Sequence, residues 1–253
     1  MNSPSQQKIA AIVQARTGST RLPGKIFKNI SGKPMLQHVV ERLFFSKLTD
    51  QFIIATTTSP EDNAVEEFCI KNNYTYHRGS MNDVLSRYYD TATKFSADII
   101  VRITSDCPLI DPELIDSMLN VFLAANKFVH LDYLSNVIKR TFPRGLDVEI
   151  FSFAALEKAC NEAKENFERE HVTPYIYQHP EKFTIENFIN EKDYSSHRWT
   201  VDTEEDLKLI SIIYSELYKP NSVFHFEDVL KLFERRPELF SINQNIKQKS
   251  LGE

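Results

Sequence analysis

Apolar segments of strand length alternate with amphipathic segments of helix length through the first half of this 253-residue chain. Strand–helix alternation of this kind predicts an α/β fold built on a single doubly wound, mainly parallel sheet with right-handed crossovers. Ligands bind such sheets at the carboxyl ends of the strands, so function is expected in the loops that follow them. The pattern predicts strands at 9–13, 52–56, 74–77 and 98–104, and helices at 34–46, 59–72, 83–95 and 111–126.

The alternation becomes irregular after Asn126. Residues 128–190 predict a small α+β insertion into the same domain, because their few strands are too short to form a core of their own. We therefore expect one domain over residues 1–241, followed by a polar, frayed tail at 242–253.

Composition and charge argue against several classes of protein. Hydrophobic residues make up 42% of the chain and charged residues 26%, which is ordinary for a soluble globular protein. The net charge of −5 argues against a nucleic-acid binder, and no apolar run approaches the ~20 residues of a membrane span. The N-terminus, Met1–Lys8, lacks the apolar core of a signal peptide. A cytoplasmic location is expected, because the three cysteines are scattered and suit reduced thiols: Cys69, Cys107 and Cys160.

The loop after the first predicted strand concentrates positive charge. It spans residues 14–25 (QARTGSTRLPGK) and contains two of the six glycines and three cations, Arg16, Arg21 and Lys25. Glycines let backbone N–H groups approach a phosphate, and long cationic side chains offset its charge, so the loop suits a triphosphate. The alternative is a solvated basic loop of an ordinary α/β protein.

Two further motifs each place an aspartate at the expected end of a strand. Asp106 lies in RITSDCPLID, which starts at Arg102, and Asp202 lies in RWTVDTEEDL, where 199–201 predict a short strand. Carboxylates at this edge of a sheet suit a divalent cation such as Mg²⁺. Taken singly, Asp106 also fits a turn before Pro108, and Asp202 also fits the start of a helix.

Two other acidic residues near these motifs are interpreted as helix caps. Thr203 predicts the N-cap of a helix to about Tyr218, with Asp206 at the reciprocal capping position. Asp111 similarly caps the helix at 111–126. Neither Asp206 nor Asp111 is therefore expected to bind a metal.

The three motifs resemble the signatures of the sugar-activating cytidylyltransferases. The family patterns are Q-A-R-x-G-S-x-R-L-P-G-K, R-x-T-G-D-x-P-L-I-D and R-x-T-V-D-T-x-x-D-L, and the resemblance covers about residues 9–210. It is greatest to the spore-coat-polysaccharide (SpsF-type) branch, which is related to the acylneuraminate and 3-deoxy-manno-octulosonate enzymes. One departure is Ser105, where glycine is usual, so the nucleotide geometry near Asp106 is expected to differ somewhat.

The resemblance implies a nucleotide-diphospho-sugar transferase-like fold and a defined reaction. CTP and a small sugar, such as a 2-keto-sugar acid or a related surface-polysaccharide precursor, would give a CMP-sugar and pyrophosphate. The implied catalytic residues are Arg16, Lys25, Asp106 and Asp202, and the two aspartates are the implied Mg²⁺ ligands. The implied nucleotide-binding residues are Ala15, Arg16, Gly18, Ser19, Arg21, Lys25, Arg78, Arg87 and Thr104.

Weaker resemblances lie outside the three motifs. Arg78 and Arg87 belong to a matching segment, although an ion pair between Arg87 and Asp83 fits the same spacing. In the family the insertion lines the acceptor-sugar side and builds a homodimer contact. The implied substrate-binding residues are Asp147, Glu149 and His171, of which the first two alternate on a predicted strand and share a face, with a solvent-facing edge as the alternative.

Two other functions remain open from the sequence. A nucleotide-sugar-dependent glycosyltransferase can use a similar sheet, but such enzymes commonly carry an Asp-x-Asp motif where this chain has Thr104-Ser105-Asp106. A non-catalytic nucleotide-binding partner of a polysaccharide pathway is the third class, and the intact set of charged positions counts against it. The expected partners are CTP, a small sugar and a second copy of the chain, with no nucleic acid and no membrane.

Overall fold

The computed structural model describes residues 7–248, so Met1–Gln6 and residues 249–253 lie outside the described chain. No helix in this part is long and apolar enough to cross a bilayer. The strands are β1 (Ile9–Gln14), β2 (Asn29–Ile30), β3 (Lys33–Pro34), β4 (Gln51–Thr57), β5 (Thr75–Gly79), β6 (Ile99–Thr104), β7 (Tyr133–Ser135), β8 (Glu149–Ser152) and β9 (Ile185–Asn187). The helices are α1 (Met35–Leu43), α2 (Asn63–Asn72), α3 (Val84–Phe95), α4 (Pro112–Ala125), α5 (Phe153–Glu162), α6 (Asn166–His171), α7 (Pro174–Tyr177), α8 (Glu204–Leu217) and α9 (Phe226–Arg235).

Seven of the described strands form one sheet in the order β5-β4-β1-β6-β8-β7-β9. The four strands β5, β4, β1 and β6 are parallel, and β8 runs antiparallel to both of its neighbours. This arrangement confirms the predicted doubly wound, mainly parallel α/β fold. The chain moves outward in one direction from β1 through β4 to β5 and then returns to β6 on the other side of β1. The loops after β1 and β6 therefore lie side by side at the switch point of the sheet.

Side chains of β1 alternate between two apolar layers. Ala11 and Val13 pack into the layer that includes α1, α4, α8 and α9, whereas Ala10 and Ile12 pack into the layer that includes α3, α5 and α7. Burial on both faces explains why this strand is a continuous apolar run rather than an alternating one. It also fixes the end of β1, and with it the start of the cationic loop, at the centre of the molecule.

The 128–190 segment extends the main sheet instead of forming a separate layer. It supplies β7, β8 and β9, of which β8 pairs with β6 through residues 149–152. The segment also supplies α5, α6 and α7, and α5 packs against α3.

Helix starts agree with the sequence in some places and differ in others. Asp111 caps α4 by accepting from Glu113 N, and Thr203 and Asp206 form the predicted capping box of α8. The predicted cap Ser59 is wrong, because its side chain makes no capping bond and a 3-10 turn at Pro60–Asp62 precedes α2.

The predicted strand at 199–201 is also wrong. Trp199 N donates to the carbonyl of Arg144 at 2.6 Å, whereas Val201 N donates to the carbonyl of Asp106 at 2.9 Å. These two backbone hydrogen bonds go to different segments of the chain. The stretch is therefore extended but does not pair with one neighbouring strand. Only a single bridge, between Arg144 and Arg198, is present here.

Part of the segment expected to be a frayed tail is held to the body of the protein, beside α8 and α9. A 3-10 turn runs from Pro237 to Ile242, and Asn243 is buried. Gln248 accepts a hydrogen bond from Arg198, so the described chain remains in contact with the body of the protein to its last residue.

Candidate active site at the switch point

The cationic loop after β1 is held at both ends. Near its start, the backbone N and Oγ1 of Thr17 donate to Oδ1 of buried Asp62 at 2.7 and 2.8 Å. Near its end, Gly24 adopts a left-handed conformation with φ of 64°, which glycine reaches without a Cβ clash. The 3-10 turn Lys25–Phe27 begins directly after it, so the position of Lys25 is set by the backbone.

Lys25 joins the three sequence motifs in one place. Its Nζ lies 2.7 Å from Oδ2 of Asp106, 2.8 Å from Oδ1 of Asp202 and 3.0 Å from the carbonyl oxygen of Val201. Because both carboxylate oxygens contact the same nitrogen, they lie well within the roughly 8 Å that a shared metal ion would allow. The two aspartates therefore converge as the sequence predicts, although Asp202 follows an extended segment and not a strand.

The opposite charges of this cluster shift the pKa values of Lys25 and Asp106. Burial by itself would lower the pKa of the Lys25 ammonium, but Asp106 and Asp202 outweigh it and raise that pKa above its usual value. Burial would likewise raise the pKa of the Asp106 carboxyl, and contact with Lys25 outweighs it and lowers that pKa. Lys25 and Asp106 therefore carry their charges at neutral pH.

Asp202 contacts two more cations. Arg21 Nη2 lies 2.8 Å and Arg198 Nη2 lies 2.7 Å from its Oδ2. Arg198 is held in turn by Asp206, whose side chain has 0% exposure and whose Oδ1 lies 2.9 Å from Arg198 Nε. Asp206 is thus the predicted capping residue and also an anchor for Arg198, a residue to which the sequence assigned no role.

The C-terminal part of the described chain borders the same cluster. The amide nitrogen of Asn243 donates to the Arg198 carbonyl at 2.9 Å and to Asp206 at 2.8 Å. Gln248 Oε1 accepts from Arg198 Nη1 at 2.7 Å, and the carbonyl of Lys247 lies 3.5 Å from Arg21 Nη1. These contacts bring residues about 40 positions beyond the third motif into the site.

The two converging carboxylates fit a divalent cation. Within residues 7–248 no group of three or more His, Cys, Asp or Glu side chains is arranged to hold a metal ion. Asp106 and Asp202 thus form a two-carboxylate site, and the Lys25 ammonium supplies positive charge between them. Mg²⁺ is commonly held by one or two carboxylates together with phosphate oxygens and water, which matches this donor set.

Other predicted nucleotide ligands line the loop and the end of β6. Arg16 is exposed, and no hydrogen bond or ion pair of its side chain is present within the described chain. Ser19 Oγ accepts from Leu22 N at 3.3 Å, while Thr104 Oγ1 lies 3.2 Å from the Cys107 sulfur. Ala15 is buried at the end of β1, and Gly18 is exposed at the loop tip.

Arg78 and Arg87 are engaged elsewhere in the protein. Each guanidinium nitrogen of Arg78 has an acceptor, provided by Thr57, Ser59, Asn63 and Glu66. Arg87 is buried, donates through Nη1 to the Ser80 carbonyl at 3.0 Å, and has an Nε without a partner in the described chain.

The alternative prediction of an ion pair between Arg87 and Asp83 is wrong, because Asp83 has other partners. Asp83 caps α3 through Ser86 N and pairs with Arg169 at 2.6 Å.

The predicted acceptor-side residues are placed on two elements. Only Glu149 belongs to β8, because Asp147 precedes the strand and pairs with Arg140 at 2.5 and 3.0 Å. The predicted common strand face is therefore not formed. Glu149 is buried and accepts from Arg102, Tyr133 and Thr173.

His171 ends α6 beside a strained turn. Val172 has φ of 74° and ψ of −56°, and Thr173 N donates to the His171 carbonyl at 2.9 Å. These are the features of a γ-turn of the rare strained type, here centred on a buried β-branched residue. Burial lowers the pKa of the His171 imidazole, the charge of Glu170 opposes this shift, and the charges of Arg102 and Arg16 add to it.

Ser105 replaces the usual family glycine without backbone strain. Its φ lies outside the left-handed region, and its N donates to the Gln14 carbonyl at 3.1 Å. A side chain is therefore tolerated by the backbone at this position.

Comparisons with known proteins agree with the geometry. A family model described as cytidylyltransferase matches residues 10–246. An uncharacterised protein of Methanocaldococcus jannaschii is 40% identical over 97% of this chain and 98% of its own length. The spore coat polysaccharide biosynthesis protein SpsF of Bacillus subtilis is 31% identical over 91% of this chain and 95% of its own. A solved cytidylyltransferase from Leptospira borgpetersenii is 38% identical with a TM-score of 0.87, covering 97% of this chain and 100% of that one. The chain therefore belongs to the cytidylyltransferase family and is a CTP-dependent nucleotidyltransferase.

Proposed function

We propose that this enzyme transfers the cytidylyl group of CTP to a sugar, giving a CMP-sugar and pyrophosphate. The observation that carries the proposal is the contact of one loop ammonium, that of Lys25, with both Asp106 and Asp202. A loop suited to phosphates and a carboxylate pair suited to a divalent cation thus share one position. This is the arrangement that nucleotidyl transfer requires.

The loop cations are the proposed triphosphate ligands. Arg16 is exposed at the loop, while Arg21 and Lys25 contact Asp202. Phosphate oxygens would compete with the aspartates for these two side chains and draw them toward the triphosphate. Ala15, Gly18 and Ser19 would line the path of the phosphates, with Thr104 at the end of β6.

Asp106 and Asp202 are the proposed Mg²⁺ ligands. When bound, Mg²⁺ polarises the reacting phosphoryl group and neutralises charge that develops on it. The chain's own residues supply the remaining contributions, which are positioning and charge compensation rather than a covalent intermediate. Arg16, Arg21 and Lys25 would bind the departing pyrophosphate while the acceptor hydroxyl attacks the α-phosphate in line.

The acceptor side is proposed to lie toward the 128–190 segment. His171 is uncharged at neutral pH, because burial lowers its pKa, so its imidazole can exchange hydrogen bonds with sugar hydroxyls. Asp147 and Glu149 are the other proposed sugar contacts. Each carboxylate would give up one of its hydrogen bonds within the protein to accept one from a sugar hydroxyl. Arg78 and Arg87 remain proposed nucleotide contacts, and each would likewise exchange a present hydrogen-bond partner for the nucleotide.

The class of acceptor is inferred from relatives. The printed name of SpsF connects that protein with spore coat polysaccharide biosynthesis, which supports a surface-polysaccharide precursor as acceptor. A 2-keto-sugar acid is the specific proposal. We also propose a cytoplasmic homodimer, for which the exposed apolar side chains of the 128–190 segment provide support, including Phe128 at 89% exposure.

The test is a turnover assay on a panel of substrates. The protein is incubated with each nucleoside triphosphate, Mg²⁺ and a series of 2-keto-sugar acids, and pyrophosphate release is measured. Release that requires both CTP and an acid sugar is expected. Transfer of sugar from a nucleotide-sugar without pyrophosphate would favour a glycosyltransferase, and CTP binding without any turnover would favour a non-catalytic partner.

A further inference from the structure

Three cations contact the carboxylate of Asp202, and they do so on different oxygens. Lys25 reaches Oδ1 at 2.8 Å, whereas Arg21 and Arg198 reach Oδ2 at 2.8 and 2.7 Å. Lys25 and Arg21 belong to the cationic loop, so both are candidates to leave for the triphosphate. Arg198 precedes Asp202 by four positions and is the most buried of the three cations.

Arg198 is fixed from its far side by Asp206. Its Nε and Nη2 donate to the two oxygens of Asp206 at 2.9 and 3.1 Å. Asp206 also accepts from the backbone N of Asp202 at 3.0 Å and of Thr203 at 3.1 Å. One fully buried carboxylate therefore fixes both the backbone of Asp202 and the arginine that contacts its side chain.

Two residues near the C-terminus complete this arrangement. The side-chain Nδ2 of Asn243 donates to the Arg198 carbonyl at 2.9 Å and to Asp206 Oδ1 at 2.8 Å. Gln248 Oε1 accepts from Arg198 Nη1 at 2.7 Å, the one guanidinium nitrogen that no aspartate contacts. All three nitrogens of Arg198 are thus occupied, and the residues holding it come from two separate parts of the chain.

We propose that Arg198 is a positioning residue that keeps Asp202 aimed at the divalent cation, and that Asn243 and Gln248 keep Arg198 in place. The inference rests on the proposed function. When the triphosphate draws away Lys25 and Arg21, Arg198 stays, because its departure would leave Asp206 as a buried unpaired charge. Oδ2 of Asp202 then remains bound to Arg198. Oδ1, freed from Lys25, faces the point that Asp106 Oδ2 also faces.

Arg198→Lys is the decisive variant. Lysine keeps the positive charge but lacks the planar guanidinium, so it cannot contact Asp202 and Asp206 with the same geometry. The probe is Mn²⁺ together with inorganic triphosphate, which contains neither base nor sugar. Binding of Mn²⁺ to the protein is measured as an enhancement of water proton relaxation. We expect apparent Mn²⁺ affinity to fall about tenfold or more, as for other residues that orient metal ligands.

A second measurement separates positioning from a general structural role. Binding of triphosphate without a divalent ion depends on the loop cations, so Arg198→Lys is expected to leave it within about twofold. A general disruption of the site would weaken both kinds of binding together. An unchanged Mn²⁺ affinity in the folded variant, or an equal loss of metal-free triphosphate binding, overturns the proposal.

The C-terminal contacts provide an independent approach if Arg198→Lys does not fold. Asn243→Ala and Gln248→Ala are expected to weaken Mn²⁺ binding in the same direction but by less. Gln244→Ala is the matched control, because Gln244 is exposed and its side chain has no hydrogen-bond partner in the described chain. Equal Mn²⁺ affinities in the Asn243, Gln248 and Gln244 variants would overturn the role of the C-terminal residues.

Failure of the proposed function gives a different result. A wild-type protein that binds Mn²⁺ with inorganic triphosphate but releases no pyrophosphate from CTP would contradict cytidylyl transfer. The comparison of wild-type and Arg198→Lys proteins would still decide the role of Arg198. A wild-type protein that does not immobilise Mn²⁺ with triphosphate would overturn the positioning inference itself.

Discussion

The Nζ atom of Lys25 lies 2.7 Å from Oδ2 of Asp106, although the two residues are 81 positions apart. The same atom reaches Asp202, so one ammonium offsets two carboxylates. If phosphate oxygens draw that ammonium away, the carboxylates face each other without compensation, and a divalent cation is the natural replacement for the lost charge. The closed arrangement of Lys25 and the two aspartates is therefore consistent with a site prepared for a metal–triphosphate complex.

Lys25→Ala is expected to weaken triphosphate binding and slow turnover while the fold is retained. Loss of one charge-assisted contact costs about 1.5–3 kcal/mol, which corresponds to roughly a tenfold to hundredfold loss of affinity. The measurement is the dissociation constant of CTP by calorimetry, together with the rate at subsaturating CTP.

Lys28→Ala is the matched control for this change. Lys28 lies one position past the same 3-10 turn, but its partly exposed side chain only reaches Glu204 at 3.4 Å. Its removal is expected to leave CTP affinity nearly unchanged. Equal effects of the two substitutions would remove Lys25 from the triphosphate site.

Asp106→Asn and Asp202→Asn are each expected to abolish most activity without unfolding the protein. Both also lower apparent Mg²⁺ affinity, because each removes one negative ligand of a two-carboxylate site. The double variant is expected to lose little more than either single one, since both carboxylates act through one ion. Initial rates measured across a Mg²⁺ series test this, and fully additive losses would contradict a shared ion.

Sequence reasoning predicted the convergence of Asp106 and Asp202 but not what holds them. The parallel order of the sheet places Asp106 just past β6, whereas Asp202 reaches the same place through an extended segment whose Val201 N donates to the Asp106 carbonyl. The contacts of Arg198 were missed because Asn243 and Gln248 reach it only when the C-terminal segment folds back. No periodicity or spacing in the sequence relates position 243 to position 198.

Local signals were reliable where a few neighbouring residues decide the outcome. Thr203 and Asp206 cap α8 as predicted, because both ends of the capping box lie within one helical turn. The predicted strand at 199–201 failed because strand formation depends on a partner, and here the backbone bonds alternate between Arg144 and Asp106. Partners of long side chains, such as the four acceptors of Arg78, were equally invisible to the sequence.

Protein stability is expected to fall as the pH drops below about 6.5, the ordinary pKa of histidine. Burial lowers the pKa of His38, despite its Nε2 hydrogen bond to the Ile30 carbonyl at 2.6 Å. A histidine with a lowered pKa in the folded state binds its proton more readily when unfolded, so acid favours unfolding. Above that pH both states are neutral and the effect disappears. Burial lowers the pKa of three further histidines in the same direction: His77, His171 and His197.

His38→Gln tests the contribution of this one histidine. Glutamine has an amide donor for the Ile30 carbonyl but does not titrate. Urea unfolding at pH 7 and at pH 5.5 is expected to show a smaller pH-dependent shift of the midpoint for the variant than for the wild type. An identical shift in the two proteins would mean that His38 is not one of the groups responsible.

Wild-type protein is expected to be a homodimer at micromolar concentration by light scattering. Four of the nine exposed large apolar side chains in the described chain lie in the 128–190 segment, including Phe128 at 89%, Val129 at 64% and Ile189 at 55% exposure. Replacing Phe128 and Val129 together by serine is expected to shift the protein toward the monomer. Ile70→Ser is the control, because Ile70 is 64% exposed on α2 outside that segment. A monomeric wild type, or equal effects of the two changes, would count against this interface.

Gly145→Ala is expected to destabilise the protein and to disturb the active site together. Gly145 has φ of 108°, and a Cβ atom there would lie 2.5 Å from the backbone of Trp199 and Thr200. Backbone strain and steric overlap each cost about 1–3 kcal/mol, and the displaced segment leads from Arg198 to Asp202. Gly18→Ala is the control for stability, since a Cβ atom at Gly18 would meet no atom within 4 Å and its φ is not left-handed. Thermal unfolding and apparent Mg²⁺ affinity are measured on both variants. A Gly145→Ala protein as stable as Gly18→Ala would show that the segment can move aside, and that the close approach of these backbones does not fix Asp202.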